Sequence, residues 1–219
     1  MGTRGVRNSP SVTDMPTGAA LNVSSTLGSS MANGPGRRAV IWVQGCSLEC
    51  PGCYNPDTHK HEARHIVPVQ DLADWVCSLD GIEGITLSGG EPFEQARAAS
   101  ALIELARSKM PDLSTFVFTG FTLEELESSG DEGVSHLLGM CDMLSSGRFV
   151  AKERDPSLLW RGSANQRLQY LTHRYSPEME EMWAAESPKE EVHVLSETVF
   201  RTGFLGIRGE LSRALEGLE

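Results

Sequence analysis

The sequence predicts an α/β domain built around a parallel sheet. Three observations carry that expectation. Short apolar runs read as buried strands, segments with helical spacing lie between them, and glycine or proline marks the junctions. Strands that alternate with helices pair in parallel through right-handed crossovers. The periodicity leaves the shape open, either an open sheet or a partial barrel.

The elements follow in chain order. Residues 1–20 are rich in Gly, Ser, Thr and Pro, with little to bury, so a disordered tail is expected there. Residues 21–219 are expected to form one domain. Leu21 and Val23 open a lead-in that ends in the turn Gly34-Pro35-Gly36. Ala39-Val40-Ile41-Trp42-Val43 is a continuous apolar run that suits a strand buried on both faces. Pro68 fits the first position of a helix, followed by Val69, Leu72, Ala73 and Val76 at helical spacing. Gly84-Ile85-Thr86-Leu87-Ser88 is the second strand, and a helix is expected over 93–110. Ser114-Thr115-Phe116-Val117-Phe118 is the third strand. Thr122 caps the next helix, and Glu125 completes a capping box. Val134, Leu137 and Leu138 suit a short helix, and Cys141-Asp142-Met143-Leu144 reads as the fourth strand. Beyond it, 160–166 is loop-like and 176–190 reads as an exposed connection. A hairpin is expected over 191–196 and 198–204, and an amphipathic helix over 209–218.

Composition limits the function. The net charge of −11 repels phosphate backbones, so nucleic acid is not an expected partner. No apolar stretch is long enough to span a bilayer, and no apolar run follows Arg4 and Arg7 as a signal peptide would require. Val6 breaks the myristoylation pattern after Gly2. Five cysteines, three of them crowded together, make a poor disulfide framework and point to metal or cluster binding in a reducing compartment. A cytoplasmic protein is expected.

The crowded cysteines are Cys46, Cys50 and Cys53, with the spacing C-x3-C-x2-C. Thiolates suit both iron–sulfur clusters and zinc. A ferredoxin covers all four irons of its cubane with cysteine, so three cysteines leave one iron open to a small chelator. The competing reading is a zinc-binding interaction module, closed by His59 or His61. Cys77 and Cys141 fall at buried positions of predicted elements and suit core packing. A second segment favours the cluster. Ser88-Gly89-Gly90-Glu91-Pro92 follows a strand and precedes a helix, and its two glycines permit close approach to the backbone.

Together these segments resemble the radical S-adenosylmethionine (SAM) superfamily. Within it, Gly45-Cys46 and Cys50-Pro51-Gly52-Cys53-Tyr54-Asn55-Pro56-Asp57-Thr58 look like the cluster loop of anaerobic ribonucleoside-triphosphate reductase activating proteins. Phe118-Thr119-Gly120-Phe121-Thr122, Asp142-Met143-Leu144, Gly147-Arg148-Phe149 and Trp160-Arg161-Gly162-Ser163 extend the likeness, which covers roughly 35–170. The resemblance implies a partial (β/α)6 barrel with a 4Fe–4S cluster on Cys46, Cys50 and Cys53. It implies that Gly89, Gly90 and Glu91 meet the methionyl end of SAM, and that Gly52 and Tyr54 lie against its adenine end. It implies reductive cleavage of SAM to a 5′-deoxyadenosyl radical, fed by a one-electron donor such as flavodoxin or ferredoxin. That radical would install a glycyl radical on a partner reductase. Direct action on a small molecule or peptide is the alternative within the superfamily. Thr119, Asp142, Arg148, Arg161 and Asn165 are further candidates by position. Gly52 stands where many superfamily members have an aromatic residue, which leaves Tyr54 to supply a ring. The segment 176–219 has no counterpart in the resemblance.

Overall fold

A computed structural model describes residues 19–195 and 198–203. The expected tail lies outside these residues except for Ala19 and Ala20, and the expected closing helix lies outside them altogether.

The chain runs β1 (Ala20–Ser30), β2 (Arg38–Val43), β3 (His65–Pro68), α1 (Val69–Cys77), β4 (Gly84–Gly89), α2 (Ala96–Lys109), β5 (Ser114–Thr119), α3 (Leu123–Glu127), α4 (Glu132–Met140), β6 (Met143–Ser146), β7 (Arg167–Tyr170), α5 (Glu180–Glu186), β8 (Glu190–Leu195) and β9 (Thr198–Gly203). The first seven strands form one sheet in the order β3-β1-β2-β4-β5-β6-β7. Only β2, β4, β5 and β6 run parallel, in the register Ile41↔Leu87, Leu87↔Val117 and Val117↔Leu144. The outer strands β1, β3 and β7 are antiparallel to their neighbours. The sheet is therefore mixed rather than wholly parallel.

Alternation along the strands gives the sheet two apolar faces. On one, Ile41, Ile85, Leu87, Val117 and Leu144 pack against Val76, Leu102, Ile103 and Leu137 of the helices. Each fully buried Leu or Ile contributes about 2 kcal/mol of transfer free energy. On the other, Val40 and Trp42 meet Leu27 and Phe200, while Phe116 and Met143 meet Leu159, Trp160 and Trp183. The C-terminal segment thus covers the face that the helices leave open. At the start of β2 the fully buried Arg38 fills the sheet's lower end. Its guanidinium donates to Thr86 Oγ1, the Pro35 and Ile85 carbonyls, and both oxygens of Ser114.

Several elements differ from expectation. The lead-in is an eleven-residue strand, β1, because its backbone pairs with both β2 and β3. Pro68 ends β3 and precedes α1 rather than starting it. A 3-10 turn over Pro92–Gln95 delays α2 to Ala96. Cys141 follows α4, so β6 starts two residues later than the apolar run suggests. The connection at 176–190 contains α5, which buries Trp183. Elsewhere the capping box of α3 is formed, with Thr122 Oγ1 accepting from Glu125 N and Glu125 Oε2 from Thr122 N. The hairpin β8–β9 is also formed.

Candidate active site

The parallel strands end on one side, and their exits surround a cavity of about 370 Å³. Cys46, Cys50, Cys53, Gly89, Gly90, Glu91 and Thr119 all line it, so both sequence motifs meet in one place.

The cysteine loop leaves β2 at Gly45, whose φ of 104° suits glycine. Two backbone bonds tie its base, from Gly45 N to the Thr58 carbonyl (2.8 Å) and from Cys46 N to the His59 carbonyl (3.0 Å). A turn from Cys53 N to the Cys50 carbonyl (3.1 Å) brings two of the thiols together, with Gly52 between them at φ 77°. The Glu94 carboxylate holds the loop from outside, accepting from Ser47 N (2.9 Å) and meeting His61 Nε2 (2.8 Å). Burial pushes the Cys46 thiol up to about 11 and also raises Cys53.

The glycine segment leaves β4 beside this loop. Gly90 N donates to the Val43 carbonyl (2.8 Å), and Glu91 N donates to the Gly45 carbonyl (2.9 Å). A Cβ on Gly90 would stand 2.1 Å from the Gly45 oxygen, and one on Gly89 would stand 2.7 Å from Val43 backbone atoms. These glycines are needed for one strand exit to lie against the other. Glu91 follows, only 1% exposed. It accepts from Phe93 N (3.0 Å), Thr119 Oγ1 (2.9 Å) and Gly120 N (2.8 Å). Burial pushes its carboxyl up to about 7, and the three donors pull it back only in part. Tyr54 forms a further wall, edge-on to Phe149 at 5.3 Å with the Arg154 guanidinium 5.4 Å from its ring. Gly162 makes room for that ring, since its Cβ would lie 2.6 Å from Tyr54 Cε2.

The further candidates divide. Thr119 lies in the site through its bond to Glu91. Asp142 lies at the opposite end of the sheet, accepting from Arg107 Nη2, Thr115 N and Thr172 Oγ1 at 2.8 Å each. Arg148 pairs with Glu125 (2.8 Å), and Arg161 pairs with Glu180 of α5. Asn165 accepts from Ser163 Oγ (2.7 Å) and donates to the Arg148 carbonyl (2.8 Å). The last four hold the frame. Cys77 and Cys141 pack in or against the core. Trp42, Phe118, His59, Phe200 and Thr202 line the cavity without having been singled out as site residues, apart from His59 as a zinc ligand.

Three cysteines at one cavity are the donor set a cubane with one open iron would take, whereas a zinc ion would need a fourth donor beside them. Among the described residues no group of three His, Cys, Asp or Glu side chains is placed to hold a metal ion. His61 is engaged with Glu94, and the buried His59 Nε2 has no hydrogen-bond partner among the described residues. No helix among the described residues is long and apolar enough to cross a membrane.

Residues 32–169 match the model of a family described as the 4Fe-4S single cluster domain. The anaerobic ribonucleoside-triphosphate reductase-activating protein of Vibrio cholerae serotype O1 is 35% identical over 152 residues, covering 67% of this chain and 93% of that one. The protein of that name from Escherichia coli K12 is 35% identical over 150 residues, covering 64% and 93%. That of enterobacteria phage T4 is 30% identical over 140 residues, covering 62% and 85%. With a 4Fe-4S single-cluster match across most of its length and relatives of one kind, this chain belongs to the family of anaerobic ribonucleoside-triphosphate reductase-activating proteins.

Proposed function

We propose that this chain activates an anaerobic ribonucleotide reductase by SAM-dependent radical chemistry. Cys46, Cys50 and Cys53 hold a 4Fe–4S cluster, with no cysteine for its fourth iron. The observation that carries this reading is the meeting of the three thiols with Gly89-Gly90-Glu91 at one cavity. When bound, the cluster would supply the single electron for reductive cleavage of SAM to methionine, and the resulting radical chemistry would be directed at a glycine Cα–H of the reductase.

The chain's own residues bind, orient and shield. The backbone around Gly89 and Gly90 receives the methionyl end of SAM, and Glu91 fixes that backbone by joining the exits of β4 and β5. Gly52 and Tyr54 take the adenine end, with Tyr54 backed by Phe149. The cavity walls keep water from the reacting atoms. Positioning the target hydrogen beside the radical sets selectivity.

The four parallel strands fit a partial (β/α)6 barrel of the radical-SAM type, and the described residues from 21 onward belong to its single domain. The electron comes from a protein donor of the flavodoxin or ferredoxin class. Free cysteines throughout the described residues suit work in the cytoplasm.

The test is anaerobic reconstitution with iron and sulfide, followed by reduction in the presence of SAM and a reductase. Wild type is expected to release 5′-deoxyadenosine and to give a glycyl doublet in electron paramagnetic resonance, and Cys50→Ala to give neither. Zinc without iron or sulfide after anaerobic purification would overturn the reading. Turnover of a small compound with no doublet would move the substrate from protein to small molecule.

A further inference from the structure

The hairpin β8–β9 lies beyond residue 169, where the family match ends, yet it reaches the cavity. Its inner face carries Glu191, His193, Phe200 and Thr202, since Glu191 pairs with Thr202 and His193 with Phe200 across the ladder. Glu191 ties the hairpin to the end of β1. Its carboxylate accepts from Ser30 Oγ, from Met31 N (3.0 Å) and from Ala32 N (3.2 Å), all where β1 turns toward β2. Asn33 Nδ2 adds a bond to the buried Thr202 Oγ1 (2.8 Å). Between these polar ties Phe200 lies edge-on to Trp42, with ring centroids 5.4 Å apart, over Leu27 and Val40.

Phe200, Thr202 and Trp42 line the same cavity as the three site cysteines. The inner face of the hairpin is thus built into the site, while its outer face leaves Val192, Val194 and Val199 exposed. Four hydrogen bonds and an aromatic contact hold it against the rest of the chain.

We propose that hairpin β8–β9 is a latched inner wall of the cavity, with Phe200 as a specificity-determining residue that closes the side bounded by β1 and β2. The consequence for substrate choice rests on the radical reading given above. A primary carbon radical takes hydrogen from any suitable C–H within reach. With the wall shut, the partner's polypeptide backbone is the hydrogen donor. With the wall open, SAM cleavage still yields methionine, but the radical takes its hydrogen atom from a solute C–H. It ends as 5′-deoxyadenosine, and the unpaired electron stays on that solute.

The test uses the full chain as wild type, Glu191→Ala, Phe200→Ala and Phe200→Leu. The first arm needs no cofactor. The metal-free protein is treated with iodoacetamide or with a bulky maleimide, and modification of Cys46, Cys50 and Cys53 is followed by peptide mass mapping. Opening the wall is expected to speed the bulky reagent about tenfold and the small one about twofold in both alanine variants, as a local opening equilibrium would. Phe200→Leu is expected to restore wild-type rates. Unchanged rates overturn the wall, and so does an equal rise for both reagents, which reports general loosening.

The second arm measures glycyl radical formed per 5′-deoxyadenosine on reconstituted protein with the reductase. Phe200→Ala is expected to lower that ratio about fivefold at equal iron content, since positioning governs which hydrogen is taken. An unchanged ratio overturns the role in substrate choice. If wild type releases no 5′-deoxyadenosine, the radical reading fails, while the alkylation arm still decides the wall.

Discussion

The Glu91 carboxylate accepts the Gly120 amide hydrogen at 2.8 Å, and this bond joins the exits of two neighbouring parallel strands. Glu91 also accepts from Phe93 N and Thr119 Oγ1, so one buried acid fixes three backbone segments beside the cysteine loop.

Burial pushes the Glu91 carboxyl from 4.5 to about 7. The folded state therefore holds a proton that the unfolded chain has already released. Stability is fully present below about pH 4.5, falls as pH rises toward 7, and is flat beyond, with a total change of roughly 3 kcal/mol. Urea unfolding of the metal-free protein from pH 4.5 to 8 reads this directly. The downward slope is expected in wild type and absent in Glu91→Gln, and equal slopes in the two proteins would refute the assignment.

The two site glycines serve different ends. At Gly90 an added Cβ meets the Gly45 carbonyl oxygen at 2.1 Å, a backbone atom that cannot swing away. Gly90→Ala is expected to cost about 2–3 kcal/mol and to part the cysteine loop from the β4 exit. At Gly52 a Cβ meets only side-chain atoms at 3.5 Å, so the cost is the left-handed backbone alone, about 1 kcal/mol. Thermal unfolding should rank Gly90→Ala well below Gly52→Ala, and iron content after reconstitution should follow that order.

Asp142 supports the fold from the far end of the sheet. It binds Arg107, Thr115 N and Thr172, and removing it leaves a partly buried guanidinium and a buried amide without their partner. Asp142→Ala is expected to lose about 2–4 kcal/mol. The rate of SAM cleavage per folded molecule should stay at the wild-type level. A selective loss of that rate, with stability intact, would return Asp142 to the site.

Asp142 and Arg161 also mark where sequence reading runs out. Both are charged residues next to apolar elements, and their partners Arg107 and Glu180 are 35 and 19 residues away. Nothing local announces those pairings. The strands β2 and β4 were legible because both are buried on both faces: β2 carries the unbroken apolar run Ala39 to Val43, and β4 sets Ile85 and Leu87 among small residues that end at Gly89. β1 was not, because Ser24, Ser25 and Ser29 have weak strand preference and its pairing with β2 and β3 overrides it. In α5 a run of Glu concealed Trp183, the one buried side chain of the helix. The cysteine loop and the glycine segment could be read as chemistry only as a pair, through their resemblance to the radical-SAM superfamily, since the cysteine spacing alone also allowed zinc. Their closeness could not, because it depends on the Gly45 and Gly90 backbones touching. The hairpin that carries Phe200 was legible, but its folding back onto Trp42 was not, because no local pattern marks a contact between residues so far apart in the chain.

The five cysteines offer the sharpest division between site and scaffold. Cys46, Cys50 and Cys53 line the cavity. Cys141 is buried with its Sγ directed at the Leu137 carbonyl (3.1 Å), and Cys77 packs against the core with its Sγ 3.8 Å from the Ala106 carbonyl. A cubane needs each of the cavity thiolates, because every lost ligand exposes a second iron to solvent. After anaerobic reconstitution, wild type, Cys77→Ser and Cys141→Ser are each expected to carry about four irons per chain. Cys46→Ser, Cys50→Ser and Cys53→Ser are expected to keep less than about a quarter of that, as loss of a ligand weakens a cluster far more than loss of a packing group. Cys141→Ser should still unfold earlier, by about 1–2 kcal/mol, because a hydroxyl replaces a buried thiol in the core. Full iron in any of the three cavity variants would place the cluster elsewhere.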